Sequence, residues 1–240
     1  MKNLIRGIVI SSVLAGAVLL NAQTADEIVG KHLAAVGGKD AISQVKSISM
    51  ESSIQIMGND APSTTVVLDG VGYKSETDFN GARIVQCYNG KGGWQVNPMA
   101  GAGDPTPMTD DEYNAGKAQI NVGGALYEYA AKGSKVELLG KDADTYKLKL
   151  TSKENLETVF VIDSTTYLLK SVITKSKMQG QDVNITTTLS DYRKTDVGFL
   201  VPYAVNVDLG GQFSLSIAVK KVELNKTIDP SIFSMPKAGQ

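Results

Sequence analysis

The chain has 240 residues, with 24 basic against 25 acidic side chains, one histidine and one cysteine. A near-neutral balance without a basic stripe argues against a nucleic-acid surface. A lone cysteine leaves no internal disulfide, and one His with one Cys cannot assemble the usual zinc sets.

Residues 1–22 read as an export signal. Lys2 and Arg6 give a basic start, residues 7–20 an apolar run, and Asn21-Ala22-Gln23 a small-residue exit cleaved after Ala22. The run is too short to span a bilayer, which takes about twenty residues. A lipid-anchored protein would place a cysteine directly after it, but the only cysteine is Cys87. Removing 22 of the 240 residues leaves 218, expected to form one periplasmic, unanchored, monomeric domain over 23–240.

The mature part opens with a helix. Thr24 and Glu27 fit a capping box, Ile28, Val29, His32, Leu33 and Val36 recur at helical spacing, and Gly37-Gly38 ends the run. A shorter turn places Ala41, Ile42 and Val45 on one face. From Ser47 the period becomes two: Ile48, Met50, Ser52, Ile54 and Ile56 share one side of a strand. Further strands are predicted around 64–69, 72–78, 82–89 and 93–97. Residues 98–108 read as a flexible proline-punctuated loop. Thr109 and Glu112 form a second capping box, opening a helix to about residue 118, and residues 125–132 read as another helical piece. Strands resume at 135–140, 146–150, 159–162, 167–175, 183–192, 200–209 and 212–222. Tyr203, Val205, Val207 and Leu209 hold one face, and Phe213, Leu215, Ile217 and Val219 repeat the pattern.

The fold class is therefore α+β, mainly antiparallel, with eleven or twelve strands and about three helical segments. A barrel in the outer membrane would carry aromatic girdles, but aromatics make up 6% of the chain and several strands are mostly Ser, Thr and Lys. Capped amphipathic helices need a sheet to cover, so a covered sheet is the expected architecture.

Residue chemistry points away from catalysis. His32 sits among apolar helix positions, as a core-boundary residue does. No glycine-flanked serine elbow accompanies it. Cys87 lies in a strand without the basic or helix-start context of a reactive thiolate. Tyr88-Asn89-Gly90-Lys91-Gly92-Gly93-Trp94 lacks phosphate-loop spacing and reads as a hairpin turn. Asp110, Asp111 and Glu112 suit the dipole of a helix start. Trp94, with Met99 and Met108 in the loop, reads either as a loop folded on the core edge or as a lid over an apolar cavity.

Several patches carry a family likeness. They are Ala25-Asp26-Glu27-Ile28-Val29-Gly30-Lys31-His32 with Val36-Gly37-Gly38-Lys39, the Tyr88–Trp94 turn, Leu138-Leu139-Gly140-Lys141, and Tyr146-Lys147-Leu148-Lys149-Leu150. Asp191-Tyr192-Arg193-Lys194, Val201-Pro202-Tyr203 and Ile228-Asp229-Pro230-Ser231-Ile232-Phe233 complete them. In this order they resemble the LolA/LolB-like periplasmic lipoprotein carrier superfamily, in the form of the Bacteroidetes outer membrane lipoprotein-sorting proteins. The resemblance implies a strongly curved half-barrel sheet whose concave face is covered by helices. It also implies an apolar space that takes a lipoprotein or acyl-chain ligand, and inner- and outer-membrane sorting components as partners. No cofactor is implied. The family's lid-closing arginine on an early strand has no match, since Arg83 is the only arginine between the leader and Arg193.

The expected lining, taken from one face of successive strands, is Ile48, Met50, Ile54, Val66, Leu68, Trp94, Leu148, Leu150, Phe160 and Ile162. Met99 and Met108 from the loop and Leu126 and Tyr129 from the mid-chain helix complete it. The rival expectation is an envelope sensor or protein-interaction domain of the same fold with a filled core.

Overall fold

The computed structural model describes residues 23–178 and 181–236. The leader expected at residues 1–22 lies outside the described residues. Helix α1 (Ala25–Ala35) starts at the Thr24/Glu27 capping box, and α2 (Gly38–Gln44) follows directly. Gly37, at φ +124, makes the link possible, and a Cβ there would meet the Gly198 carbonyl oxygen at 2.7 Å.

Thirteen strands build one antiparallel sheet. Six form a first meander: β1 (Ser47–Ile56), β2 (Asn59–Leu68), β3 (Gly72–Phe79), β4 (Ala82–Asn89), β5 (Gly92–Asn97) and β6 (Ala102–Pro107). The second meander is β7 (Lys135–Asp142), β8 (Thr145–Thr151), β9 (Glu157–Asp163), β10 (Leu169–Met178), β11 (Gln181–Lys194), β12 (Leu200–Leu209) and β13 (Ser214–Leu224). The strand order is β6-β5-β4-β3-β2-β1-β13-β12-β11-β10-β9-β8-β7. Its two halves therefore join only where β1 pairs with β13, from Ile48↔Leu224 to Gln55↔Ser216. Strands β6 and β7 are free edges, so the sheet is not a closed barrel. Among the described residues no helix is long and apolar enough to cross a membrane.

Two expectations are corrected. Residues 98–108 are not a loop: a 3-10 turn (Pro98–Ala100) leads into β6, which pairs with β5 at Trp94↔Pro107 and Gln95↔Thr106. Pro105 and Pro107 disguise this strand, and an edge is where proline is tolerated, because one side of the ladder needs no donor. Residues 125–132 are not a helix but a run of turns. Gly124 at φ +69 and Glu128 at φ +52 take left-handed conformations that break an α-helical ladder. The second capping box does open a helix, α3 (Asp110–Gly116), which tightens into a 3-10 turn (Lys117–Ile120).

Register assigns the faces. Directly opposed residues on neighbouring strands share a face, so Leu209↔Ile185, Ile185↔Thr174, Thr174↔Thr158 and Thr158↔Leu150 form one row across β12 to β8. The row Ile48↔Val67, Val67↔Tyr73 and Tyr73↔Tyr88 runs the other way from β1. Ile54↔Ile217 and Ile217↔Val205 tie the two halves together on that same face.

Helices α1 and α2 pack on this face, where Ile28, Val29, Leu33 and Ile42 meet Tyr146, Leu148, Leu150, Phe160 and Ile162. A second cluster lies on the opposite face: Val85, Cys87, Trp94 and Val96 receive Phe233 from a C-terminal 3-10 turn (Pro230–Phe233). The Phe233 carbonyl oxygen accepts hydrogen bonds from Trp94 Nε1 at 3.1 Å, Asn89 Nδ2 at 3.0 Å and Cys87 Sγ at 3.4 Å. Gly72 leaves room for its ring, since a Cβ there would sit 2.4 Å from Phe233 Cγ.

Candidate functional site

The helix-bearing face curls around a cavity of about 800 Å³. Tyr88 of β4 and Leu150 of β8 both line it, although they stand nine places apart in the strand order. On a flat sheet that separation would be about 43 Å, at roughly 4.8 Å per strand. The sheet is therefore strongly bent, and this face is its concave one.

The other wall of the cavity is the mid-chain segment from α3 through the 3-10 turn, with Tyr113, Gly116, Lys117, Ile120 and Asn121 in the lining. Its seat is aromatic. The Tyr88 ring lies 5.8 Å from Tyr73 and 6.5 Å from Tyr113, whose hydroxyl donates to the Asn89 carbonyl at 2.8 Å. Gly116 rests directly on Tyr88, where a Cβ would approach the ring to 2.2 Å. At the rim, Lys117 Nζ meets Glu154 Oε1 at 2.5 Å, joining this segment to the β8–β9 connection.

A band of apolar side chains extends from the cavity across the concave face. Ile185 belongs to the cavity lining and stands opposite Leu209. Beyond them, Val207↔Leu215, Leu189↔Val205, Val205↔Ile217 and Ile217↔Ile54 continue the band to β1. These residues are half-buried, and none of them belongs to the three packed clusters of the described residues. A sheet face this apolar and incompletely covered is uncommon in a monomer.

The residues expected to line a ligand space are scattered over both faces of the sheet. Leu150 lines the cavity. Ile48, Met50 and Ile54 share its concave face, with Ile48 and Met50 packed near Val45 and Ile54 in the open band. Leu148, Phe160, Ile162 and Leu126 are packed under α1, with Tyr129 against them, and the Tyr129 hydroxyl donates to the Asp26 carboxylate. Val66, Leu68 and Trp94 are on the convex face with Phe233. Trp94 turns its indole N–H to the Phe233 carbonyl. Met99 is 60% exposed. Met108 is half-buried over Gly93, and its backbone N–H donates to the Gly93 carbonyl at 2.9 Å.

Tyr88, Tyr113, Lys117, Lys132 and Ile185 in the cavity, and Val205, Val207, Leu215 and Ile217 in the band, are not among the lining residues expected from the sequence. The alternation in β12 and β13 was a usable signal for the last four.

The single histidine and cysteine serve packing. His32 Nδ1 donates to the Tyr167 carbonyl at 2.9 Å, and burial, only partly opposed by that bond, holds its pKa below the ordinary 6.5. The unfolded chain therefore binds the proton more readily, so the His32 contribution is intact above about pH 6.5 and is lost as pH falls toward the folded-state value. His32→Leu is expected to flatten the fall in urea stability between pH 7 and pH 5. An unchanged slope would show that His32 ionises freely in the folded protein. Burial pushes the Cys87 thiol up to about 12, far from thiolate chemistry at neutral pH. Among the described residues no three His, Cys, Asp or Glu side chains are grouped to hold a metal ion.

Comparison with known proteins returns fold relatives only. No family model and no curated protein matches the chain. A DUF1329 family protein from Desulfovibrio piger superposes with a TM-score of 0.58 at 15% identity, covering 88% of this chain and 97% of its own. A LolA superfamily protein from Nitrosomonas europaea gives 0.58 at 12% identity, covering 89% and 98%. An outer membrane lipoprotein-sorting protein domain from Vibrio parahaemolyticus gives 0.54 at 14% identity, covering 86% and 94%. With the bent open sheet and the helices on its concave face, these likenesses identify the fold as LolA-like.

Proposed function

We propose that this protein is a periplasmic carrier or chaperone that binds lipoproteins or other acylated ligands non-covalently on the concave face of its sheet. The observation that carries the reading is the half-buried apolar band of β1, β13, β12 and β11, continuous with the cavity at Ile185. Each buried methylene of an acyl chain contributes about 0.8 kcal/mol, so a carrier must enclose many of them. A band ending in a cavity of about 800 Å³ offers a surface of that kind, within the usual range of ligand sites of about 300–1,000 Å³. The fold shared with the sorting-protein domain supports the same reading, as does the leader expected at residues 1–22.

In this reading the ligand-facing residues are Ile54, Ile185, Val205, Val207 and Ile217, with Leu150 where the cluster under α1 meets the cavity; the rest of that cluster and the one around Phe233 are structural. The inner- and outer-membrane sorting components expected from the resemblance are its proposed partners. Protein purified from the periplasm is expected to retain a lipid or lipopeptide visible by native mass spectrometry. A ligand-free protein that also refuses a fluorescent fatty acid would overturn the reading and favour an interaction domain with a filled core.

A further inference from the structure

The cavity is not uniformly apolar. Its floor is formed by the sheet residues Tyr88, Leu150 and Ile185, while three lysines, Lys117, Lys132 and Lys153, stand around its rim with a single carboxylate among them, Glu154. Lys175 and Glu157 also border it, but they alternate with the inward-facing Thr174, Ser176 and Thr158. They therefore turn to the convex face, where they pair at 3.4 Å. Glu154 is shared, with Lys117 Nζ at 2.5 Å and Lys153 Nζ at 3.8 Å, so one carboxylate answers two ammonium groups.

Lys132 is held differently. Its ammonium donates to the backbone carbonyls of Gly124 at 3.1 Å and Tyr127 at 2.8 Å and lies 5.8 Å from the Tyr127 ring centre. These bonds fix the half-buried group in the cavity wall and use two of its three donors. Lys132 is thus a cation fixed in position, with a donor to spare and no carboxylate at ion-pair distance among the described residues, although the Glu128 and Asp69 carboxylates act on it from farther off. The apolar band reaches the same cavity through Ile185.

Resting on the carrier reading, we infer that the ligand is an anionic amphiphile, its chain along the concave band and its negatively charged head, a carboxylate or a phosphate, at the rim beside Lys132. Lys117 and Lys153 share the Glu154 carboxylate, so Lys132 is the rim lysine with no carboxylate at ion-pair distance among the described residues and the one that selects the head. Burial lowers the Lys132 pKa from its ordinary value, only partly opposed by the Glu128 and Asp69 carboxylates, and a bound anion would oppose that shift further.

The test compares three amphiphiles carrying one palmitoyl chain: palmitate, palmitoyl lysophosphatidylglycerol and neutral monopalmitoylglycerol. Each displaces a fluorescent fatty acid from the full-length mature protein. At low salt at least one anionic probe is expected to bind about tenfold or more tighter than the neutral one, the value of one charge-assisted hydrogen bond. That margin should shrink as salt is raised. Preference for palmitate alone would assign the head to a carboxylate, and preference for the phospholipid alone would assign it to a phosphate. Lys132→Gln should lower anionic binding to the neutral level while leaving the neutral probe unchanged, and Lys132→Arg should restore it. Equal binding of all three probes would overturn the anionic head and leave the apolar reading standing. Equal weakening of all three by Lys132→Gln would overturn the role of Lys132. If none of the three binds, the carrier reading and this inference both fall.

Discussion

Phe233→Ala is expected to lower the free energy of unfolding by about 3–5 kcal/mol, the usual cost of emptying a large aromatic from a core. The side chain is 2% exposed and packs on the convex face, between Val85, Cys87, Trp94 and Val96 and above the bare Cα of Gly72. Its removal also loosens the turn whose carbonyl holds the Trp94, Asn89 and Cys87 donors, so buried polar groups lose their partner as well. Urea unfolding followed by Trp94 fluorescence measures the change. A loss below about 1 kcal/mol, typical of a surface substitution, would mean that this turn does not anchor the sheet. Because the cluster faces away from the cavity, fatty-acid affinity of the variant should stay within about twofold wherever it remains folded.

The second large effect is on binding. Ile217 lies at the centre of the concave band, opposite Ile54 on one side and Val205 on the other. Ile217→Lys is expected to weaken a fluorescent fatty acid about tenfold or more, since it removes apolar contact and leaves a charge beside the chain. The half-buried position keeps the cost to stability near 1 kcal/mol. Ala218→Lys, one residue along and on the convex face, is the matched control and should bind as the parent does. Equal loss in both variants, or in neither, would remove the band from the ligand site.

The sequence was most readable where local chemistry decides structure. Both capping boxes open helices at the positions their Thr and Glu residues indicate, and alternation located twelve of the thirteen strands. Strand β6 escaped because its prolines mimic a loop, and the turns at 121–133 escaped because an apolar spacing outlined a helix that left-handed Glu128 forbids.

The site was harder to read for a geometric reason. A strand's period separates two faces but does not say which face of one strand continues which face of the next. Here Val66, Leu68 and Trp94 have the same alternation as Ile48 and Ile54, yet the register turns them to the convex side. Shifts in register between Glu51 and Ser52 and between Leu169 and Ser171 further decouple alternation from face. The residues of β12 and β13 that complete the band were visible as a pattern. Only the pairing of β13 with β1 made them the middle of the molecule.

That pairing also sets a timetable. Strand β1 is synthesised before the other twelve strands of the sheet, and its partner β13 after all of them. Until β13 arrives, β1 presents an unpaired edge and the first meander can have no neighbour on that side. Contacts so distant along the chain are slow to form and leave aggregation-prone intermediates. The ladder between β1 and β13 thus acts as a completion check: a chain truncated before residue 214 would lose the strand that joins the two half-sheets and, with it, the Phe233 turn that packs on the first.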